Sequence, residues 1–469
     1  RFHGRRAPIR HSTHWQSHFK PLMVLKPLAE YLQLDRALVY AMAARVWQAL
    51  SGPITIIFLV RSLSLSEQGI YYAIANILGL QMFFELGLLN ILVSQAGHQL
   101  ATLTTAAGQQ RMRELIRSAQ RWFGGASILF ALSALGVGWD TLLRAEVEAH
   151  TGLDWELPLL AIVIAAAGTV ALSPALAILE GAGYREDVYR IRLLQMFSGS
   201  LVVWIALSLG LKLWALVLSA AVQFLWSGYL AWIYRGSFFG KFRQLPPAPS
   251  GGDEGLFSWS RDVLPVQWRY ALISGIYHLA TQFFILILTR YHSPAEAGRL
   301  GMTLSVTAAI QALALAWVNT KFSIVSAHHG AGRREVAGTL WRHTAVVSTG
   351  LLVLGMSAAG CVIALLPLAG LGLENRFIAP WQFAILAVGC LANHGIALQG
   401  FYVLSRGARP LLVASLIGYT AIAIAVWGGG YLFATYGILL GYTLTMSLVA
   451  LPLHTAAYLH FRRVGQAPS

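Results

Sequence analysis

The chain has 469 residues, 57% of them hydrophobic and only 11% charged, with a formal net charge of +15 at pH 7 and a mean hydropathy of +0.61. A water-soluble domain carries about 25% charged residues, so this composition excludes a soluble globular protein. It also argues against a nucleic-acid partner, because the positive charge is spread over connections between apolar runs and not gathered into one patch.

In chain order, residues 1–36 come first, with the basic stretch RFHGRRAPIRHSTHWQSHFK. It lacks the apolar centre of a secretory signal. An arginine-rich, acid-poor start suggests either an organelle transit peptide or, as expected here, a cytoplasmic tail lying on anionic lipid. Apolar runs follow, each long enough to cross about 30 Å of hydrocarbon as a helix. Their limits fall near 37–60, 69–93, 122–143, 156–180, 191–211 and 213–235, then 263–289, 298–325, 341–369, 377–404, 410–430 and 432–459. The runs are continuous, unlike the alternating strands of about ten residues in outer-membrane barrels. The expected fold class is therefore all-α: a polytopic integral membrane protein of about twelve transmembrane helices. Its expected divisions are a basic tail (1–36), an N-lobe of spans 1–6 (37–235), a linker (236–262), a C-lobe of spans 7–12 (263–460) and a second tail (461–469).

Two features along the way invite chemistry and do not support it. Cys361 and Cys390 both fall inside apolar runs, with no framework of partners and no metal-ligand spacing. The stretch from Asp140 to Glu156 holds five carboxylates and His150, but no periodicity gathers them, and it is read as an acidic external loop. No metal, no cofactor and no catalytic residue is expected.

Lys and Arg set the orientation. With the N-terminus in the cytoplasm, the tails and the loops after even-numbered spans hold about 25 of the 34 basic residues. The other loops hold Arg61, Arg144, Lys212, Arg290, Arg299 and Arg376. That bias predicts a multi-pass protein of the cytoplasmic (inner) membrane with both termini inside.

The chain also repeats itself. At an offset of 229 residues Arg61 meets Arg290, Ser64 meets Ser293, Glu67 meets Glu296 and Gly69 meets Gly298. Asn90, Ser94 and Arg113 likewise meet Asn319, Ser323 and Arg342, and GYR at 183–185 is echoed by GAR at 407–409. The shared pattern R-x2-S-x2-E-x-G enters spans 2 and 8. Six spans separate the copies, an even number, so the halves run the same way through the membrane. The expected architecture is two pseudo-symmetric six-helix lobes around a central cavity. The segment LPPAPSGGDEG between them reads as a flexible linker.

The stretch RSLSLSEQGIYYAIANILGLQMFFELGLLN (61–90) resembles the early signature of polysaccharide and O-antigen flippases. That family, within the multidrug/oligosaccharidyl-lipid/polysaccharide exporter superfamily, has an L-S-x-x-E-x-G loop before span 2 and an acid-x-Gly pair inside it. Leu65, Ser66, Glu67 and Gly69, with Ser64 one residue earlier, stand for the first, and Glu85-Leu86-Gly87 for the second. The resemblance implies a transporter and not an enzyme, with a lipid-linked oligosaccharide as cargo, membrane lipids as partners and a coupling proton or cation.

Charge inside a span costs about 2.5–3.5 kcal/mol on insertion scales and usually marks function. Arg45 on span 1 and Arg269 on span 7 lie about 13 and 10 Å inside. With Lys321 on span 8, they are candidate substrate-binding residues, suited to the pyrophosphate that the resemblance implies. Either arginine could instead snorkel to the surface. Asn76, Gln81, Gln282 and Asn319 are candidates for sugar hydroxyls, or interhelical contacts. Glu85 is a candidate for ion coupling or for pairing with Arg45. His278 and His394 are candidate proton relays, or helix-contact histidines. The rival functions are a drug/cation antiporter of the same superfamily, which would want more cavity acids, and a membrane-embedded polysaccharide polymerase or ligase, which would want a large external loop. No nucleotide-binding G-x-x-x-x-G-K-[ST] motif supports a primary pump.

Overall fold

In a computed structural model, the described residues are 36–85, 88–100, 102–149, 152–245, 258–369, 373–406 and 411–464. Residues 1–35 of the expected N-terminal tail, 246–257 of the expected linker and the last five residues therefore lie outside the described residues. Among those described, the regular structure is helical throughout.

The helices run α1 Arg36–Ser62, α2 Leu65–Leu78, α3 Gln81–Glu85, α4 Leu88–Leu100, α5 Ala106–Ala149, α6 Glu156–Gly181, α7 Arg185–Ser208 and α8 Trp214–Tyr234. They continue as α9 Gly240–Arg243, α10 Leu264–Thr281, α11 Phe284–Tyr291, α12 Pro294–Gly330, α13 Arg334–Ala369, α14 Pro380–Ser405, α15 Leu412–Thr445 and α16 Leu451–Val464. Among the described residues nine helical stretches are long and apolar enough to cross a membrane, or up to eleven if each of two bent pairs is one span. The bent pairs are 65–85 with α4, at 43°, and 272–281 with α11, at 52°. Large apolar side chains such as Leu129, Ile164, Leu354 and Leu448 stand exposed. That is how a protein solvated by hydrocarbon differs from one solvated by water.

Three features depart from the sequence reading. The helices overrun their apolar windows: α5 has 44 residues, about 66 Å of helix against about 30 Å of hydrocarbon. Asp140, Arg144 and Glu146 are consequently helical and not loop residues, and the loop expected from Asp140 begins only after Ala149. The expected linker is also shorter at both ends. A π-turn at Arg235–Phe239 carries α8 on to Arg243, and another at Trp259–Val263 leads into α10. Finally, the last two expected spans share one helical element that folds back at Phe433 and Ala434, the latter at φ 51°. The two arms then pack so closely that a Cβ on Gly437 would sit 1.9 Å from the Gly429 carbonyl oxygen, and one on Gly441 2.6 Å from that of Ala425. Small residues allow this approach, as they do where membrane helices pack backbone to backbone.

In the first half, α7 carries α1 and α8, and α6 carries α5, α8 and α4. In the second half, α12 carries α13 and α14, and α15 carries α10, α11 and α14. The halves meet where α2 lies along α12, where α11 touches α2 and α5, and where α3 meets α10.

Candidate functional site

The repeated motif builds the tightest contact between the halves. Ser64 caps α2: its Oγ accepts from the Glu67 N–H (3.3 Å), and the Glu67 carboxylate accepts from the Ser64 N–H (2.8 Å). This reciprocal cap satisfies two backbone donors that a helix start leaves orphaned. Ser293 caps α12 in the equivalent place, accepting from the Ala295 N–H at 3.1 Å, with Pro294 at the first helical position.

The motif glycines face each other across the seam. A Cβ on Gly69 would lie 1.8 Å from the Pro294 carbonyl oxygen, and one on Gly298 would lie 2.7 Å from that of Leu65. Only hydrogen atoms fit there, which explains why both copies of R-x2-S-x2-E-x-G end on glycine. Between them Gln68, fully buried, uses both ends of its amide. Its Nε2 donates to the Gly298 carbonyl (2.8 Å), and its Oε1 accepts from Arg376 (3.1 Å). Arg376 also donates to the Val60 carbonyl at 3.2 Å. Burial pulls its guanidinium below the ordinary arginine value, a shift that the charge of Glu67 opposes.

The motif carboxylates play parallel parts. Glu67 takes Lys212 at 2.6 Å, and Glu296 accepts from the Thr435 hydroxyl at 2.8 Å. Lys212 and Ala434, beside these partners, are the two non-glycine residues with positive φ among the described residues. A third tie joins the halves at this end: Asp140 on α5 pairs with Arg144 (3.1 Å) and with Arg290 on α11. Arg299 donates to the Asn375 carbonyl at 3.1 Å. Five of the six bases expected on one face of the membrane thus make contacts at this motif end.

The residues singled out by sequence divide into three groups. Gln81 and Glu85 lie on α3, half-buried, and His278 and Gln282 lie on and just after α10. Phe83 joins these elements, with its ring 5.7 Å from His278 edge to face, 6.0 Å from Phe283 and against Gly275. Broken spans 2 and 7 therefore meet here. The His278 Nδ1 lies 2.8 Å from the Ser274 carbonyl of its own helix, so the neutral ring carries its proton on Nδ1 and leaves Nε2 as the acceptor. Asn76, one helix earlier, holds an Oδ1 that is buried without a partner among the described residues.

The second group lies on α1 and α12, with Arg45 and Asn319 exposed and Lys321 half-buried. Arg45 reaches Gln48 at 3.4 Å within α1, Lys321 lies 5.3 Å from the Trp317 ring centre, and Asn319 is solvent- or lipid-facing. The pairing of Glu85 with Arg45 that the sequence suggested does not form: neither makes an ion pair among the described residues. Helix rotation explains this. Arg45 lies toward the exposed side of α1 that carries Met42 and Val46, whereas Trp47 and Ala44 face the packed side. The side chain of Arg269 lies outside the described residues.

His394 stands alone in the third group. It is buried between α12, α13 and α14, where its Nε2 lies 3.1 Å from the Ser348 Oγ, which donates to the Ala314 carbonyl at 2.7 Å. Since the hydroxyl spends its one proton on Ala314, Nε2 must be the donor to Ser348. That chain fastens three helices inside the second half and does not reach the α3–α10 junction.

Neither of the two described cavities is lined by these candidates. One of about 720 Å³ lies between α5, α6 and the extension of α8, and one of about 420 Å³ between α13, α14 and α16. Sequence reasoning missed the roles of Gln68, Lys212, Asp140 and Arg376. The repeat was the available signal, because it marked Glu67 and Gly69 as positions used twice.

No family model and no curated protein matches the chain. Solved structures do. A lipid II flippase MurJ in an inward closed conformation superimposes with a TM-score of 0.61 at 10% identity, covering 90% of this chain and 89% of that one. The eukaryotic MATE transporter AtDTX14 gives 0.59 at 13% identity, covering 93% and 99%. A transporter of the MOP superfamily from Pyrococcus furiosus, described as having a binding pocket of reversed polarity, gives 0.56 at 13%, covering 94% and 99%. At such identities the likeness is one of fold. The chain has the fold of these transporters, in line with the all-α, polytopic membrane fold expected from its sequence.

Proposed function

We propose that the protein flips a lipid-linked, pyrophosphate-bearing oligosaccharide across the cytoplasmic membrane by alternating access, for cell-surface polysaccharide synthesis. The observation that carries this reading is the sign of the intramembrane charges on α1 and α12. Arg45 on α1 and Lys321 on α12 have no carboxylate partner among the described residues. A guanidinium on such a face binds phosphate oxygens through a planar fork of donors, whereas it repels a cationic drug.

The layout belongs to the same proposal. Twelve spans in two lobes follow if each bent pair counts as one span and the α15–α16 hairpin as two. The motif end is then the external face, shut by the seam, and the cargo enters from the cytoplasmic side past Arg45, Asn319 and Lys321. Gln81, Gln282 and Asn76 offer hydrogen bonds to sugar hydroxyls, with Asn76 contributing a buried acceptor still in want of a donor. One observation favours the second reading, a drug/cation antiporter: Glu85 is half-buried and makes no ion pair among the described residues. In the flippase reading that carboxylate takes the coupling proton or cation.

The test is complementation of a strain lacking its own flippase, scored by lipid-linked oligosaccharide trapped on the inner leaflet. Restored surface polysaccharide, with trapping returning in Arg45→Ala, supports the proposal. Drug resistance without relief of trapping favours the antiporter.

A further inference from the structure

Both cavities lie away from the seam, and both are basic. The larger is rimmed by Arg113 and Arg117 of α5, one turn apart, and by Arg235 and Arg243 beyond α8. Its floor is apolar, with Ile116, Ile178 and Phe242 buried there. The smaller is rimmed by Arg334, Arg342, Arg406 and Arg462 over the buried rings of Trp341 and Tyr402, with one carboxylate, Glu335, in its wall. The side chains of Arg117, Arg235, Arg243 and Arg342 make no hydrogen bond or ion pair among the described residues.

Each half thus holds one basic cavity over an apolar floor. The 229-residue offset lays Arg113 on Arg342 and carries the lining segment 171–178 onto the region that holds 402–406. Topological bias alone would place arginines at these helix ends. It would not hollow a space with an apolar floor beneath them in each half. Exposed Trp232 and Tyr229 flank the larger cavity, the residue types that settle where headgroups meet hydrocarbon.

From this arrangement we infer that each half holds an anionic phospholipid of the surrounding leaflet, its phosphate in the arginine rim and its glycerol end on the apolar floor. An arginine fork matches phosphate oxygens two at a time, and basic clefts between membrane helices are suited to anionic headgroups. The occupant needs a negative head joined to an apolar body. Free phosphate satisfies the rim and leaves the floor unfilled.

The experiment uses the full chain in detergent, titrated with phosphatidylglycerol or phosphatidylcholine of the same acyl chains and read by native mass spectrometry and melting temperature. The expected result is retention of two phosphatidylglycerol molecules and little phosphatidylcholine. R117Q/R235Q/R243Q should weaken one of the two by about a hundredfold, as expected for three basic residues near one headgroup. R342Q/R462Q should weaken the other. R121Q removes one positive charge from the exposed face of α5 outside the cavity, the match for R117Q alone, and should change neither. Each variant is judged by its own difference between the two lipids, so a general loss of stability does not mimic the effect; if the triple variant fails to fold, R235Q alone at the rim replaces it. Equal retention of both lipids, or cavity variants that hold phosphatidylglycerol as tightly as R121Q does, overturns the inference. So does displacement of the bound lipid by millimolar inorganic phosphate, which would make the rim a free-anion site.

Discussion

The two ends of the molecule are built on opposite principles. At the motif end backbone touches backbone at Gly69 and Pro294, a buried glutamine spends its whole amide, and Glu67, Asp140 and Glu296 each find a partner on another element. At the other end long helices carry arginines around open cavities, four of them without a partner among the described residues. One end is closed by shape, and the other carries a basic cavity within each half. The proposed alternating access would use this asymmetry, since a seam that opens must be strong enough to exclude water and weak enough to part.

The largest effect should come from breaking the seam by bulk. Gly69→Leu drives a side chain into the Pro294 carbonyl, where even a Cβ would stand at 1.8 Å. Overpacking of this kind costs about 1–3 kcal/mol or more. We expect a lower melting temperature together with labelling of a cysteine placed at the motif end from the outside. Unchanged labelling would mean that the seam is not the closure.

Next comes the fastening inside the second half. Ser348→Ala strands the His394 N–H in a buried site, at a cost of about 1–3 kcal/mol for an unsatisfied group. The melting temperature should fall while transport per folded molecule is kept. A fall in specific transport with stability unchanged would instead make His394 a working residue.

A smaller shift is expected from the Glu67–Lys212 pair, whose lysine side chain is 45% exposed and whose carboxylate is 12% exposed. A double-mutant cycle with Glu67→Gln and Lys212→Met should give a coupling of about 1 kcal/mol or less. It should shrink in high salt, and the single variants should raise outside labelling slightly. The smallest effect on stability belongs to Arg45→Ala, because Arg45 makes one long contact on an exposed face. Transport should fall by about tenfold or more, for loss of a charge-assisted contact, with the melting temperature unmoved.

Much of the fold was legible because hydrocarbon imposes its own code: long apolar runs and basic loops are read directly from residue type. The repeat was legible too, and its glycines proved to be places where only hydrogen fits. What could not be read is whatever depends on rotation and long-range contact. Gln68 is uncharged and gives no hydropathic signal, and its partner Arg376 lies 308 residues away. The Glu85–Arg45 pairing looked reasonable by depth but failed by helix rotation. Helices that run on past the membrane, such as α5 through Asp140 and α8 through Arg243, look polar and loop-like in sequence, since no lipid shapes their composition there.

The most direct measurement is scrambling in proteoliposomes, comparing a fluorescent oligosaccharide joined to its lipid through pyrophosphate with the same sugar on a neutral lipid. Faster crossing of the pyrophosphate form, lost in Arg45→Ala at unchanged melting temperature, is the result predicted. Equal crossing of both forms, or export of a cationic dye in place of either, would contradict an anion-seeking cleft.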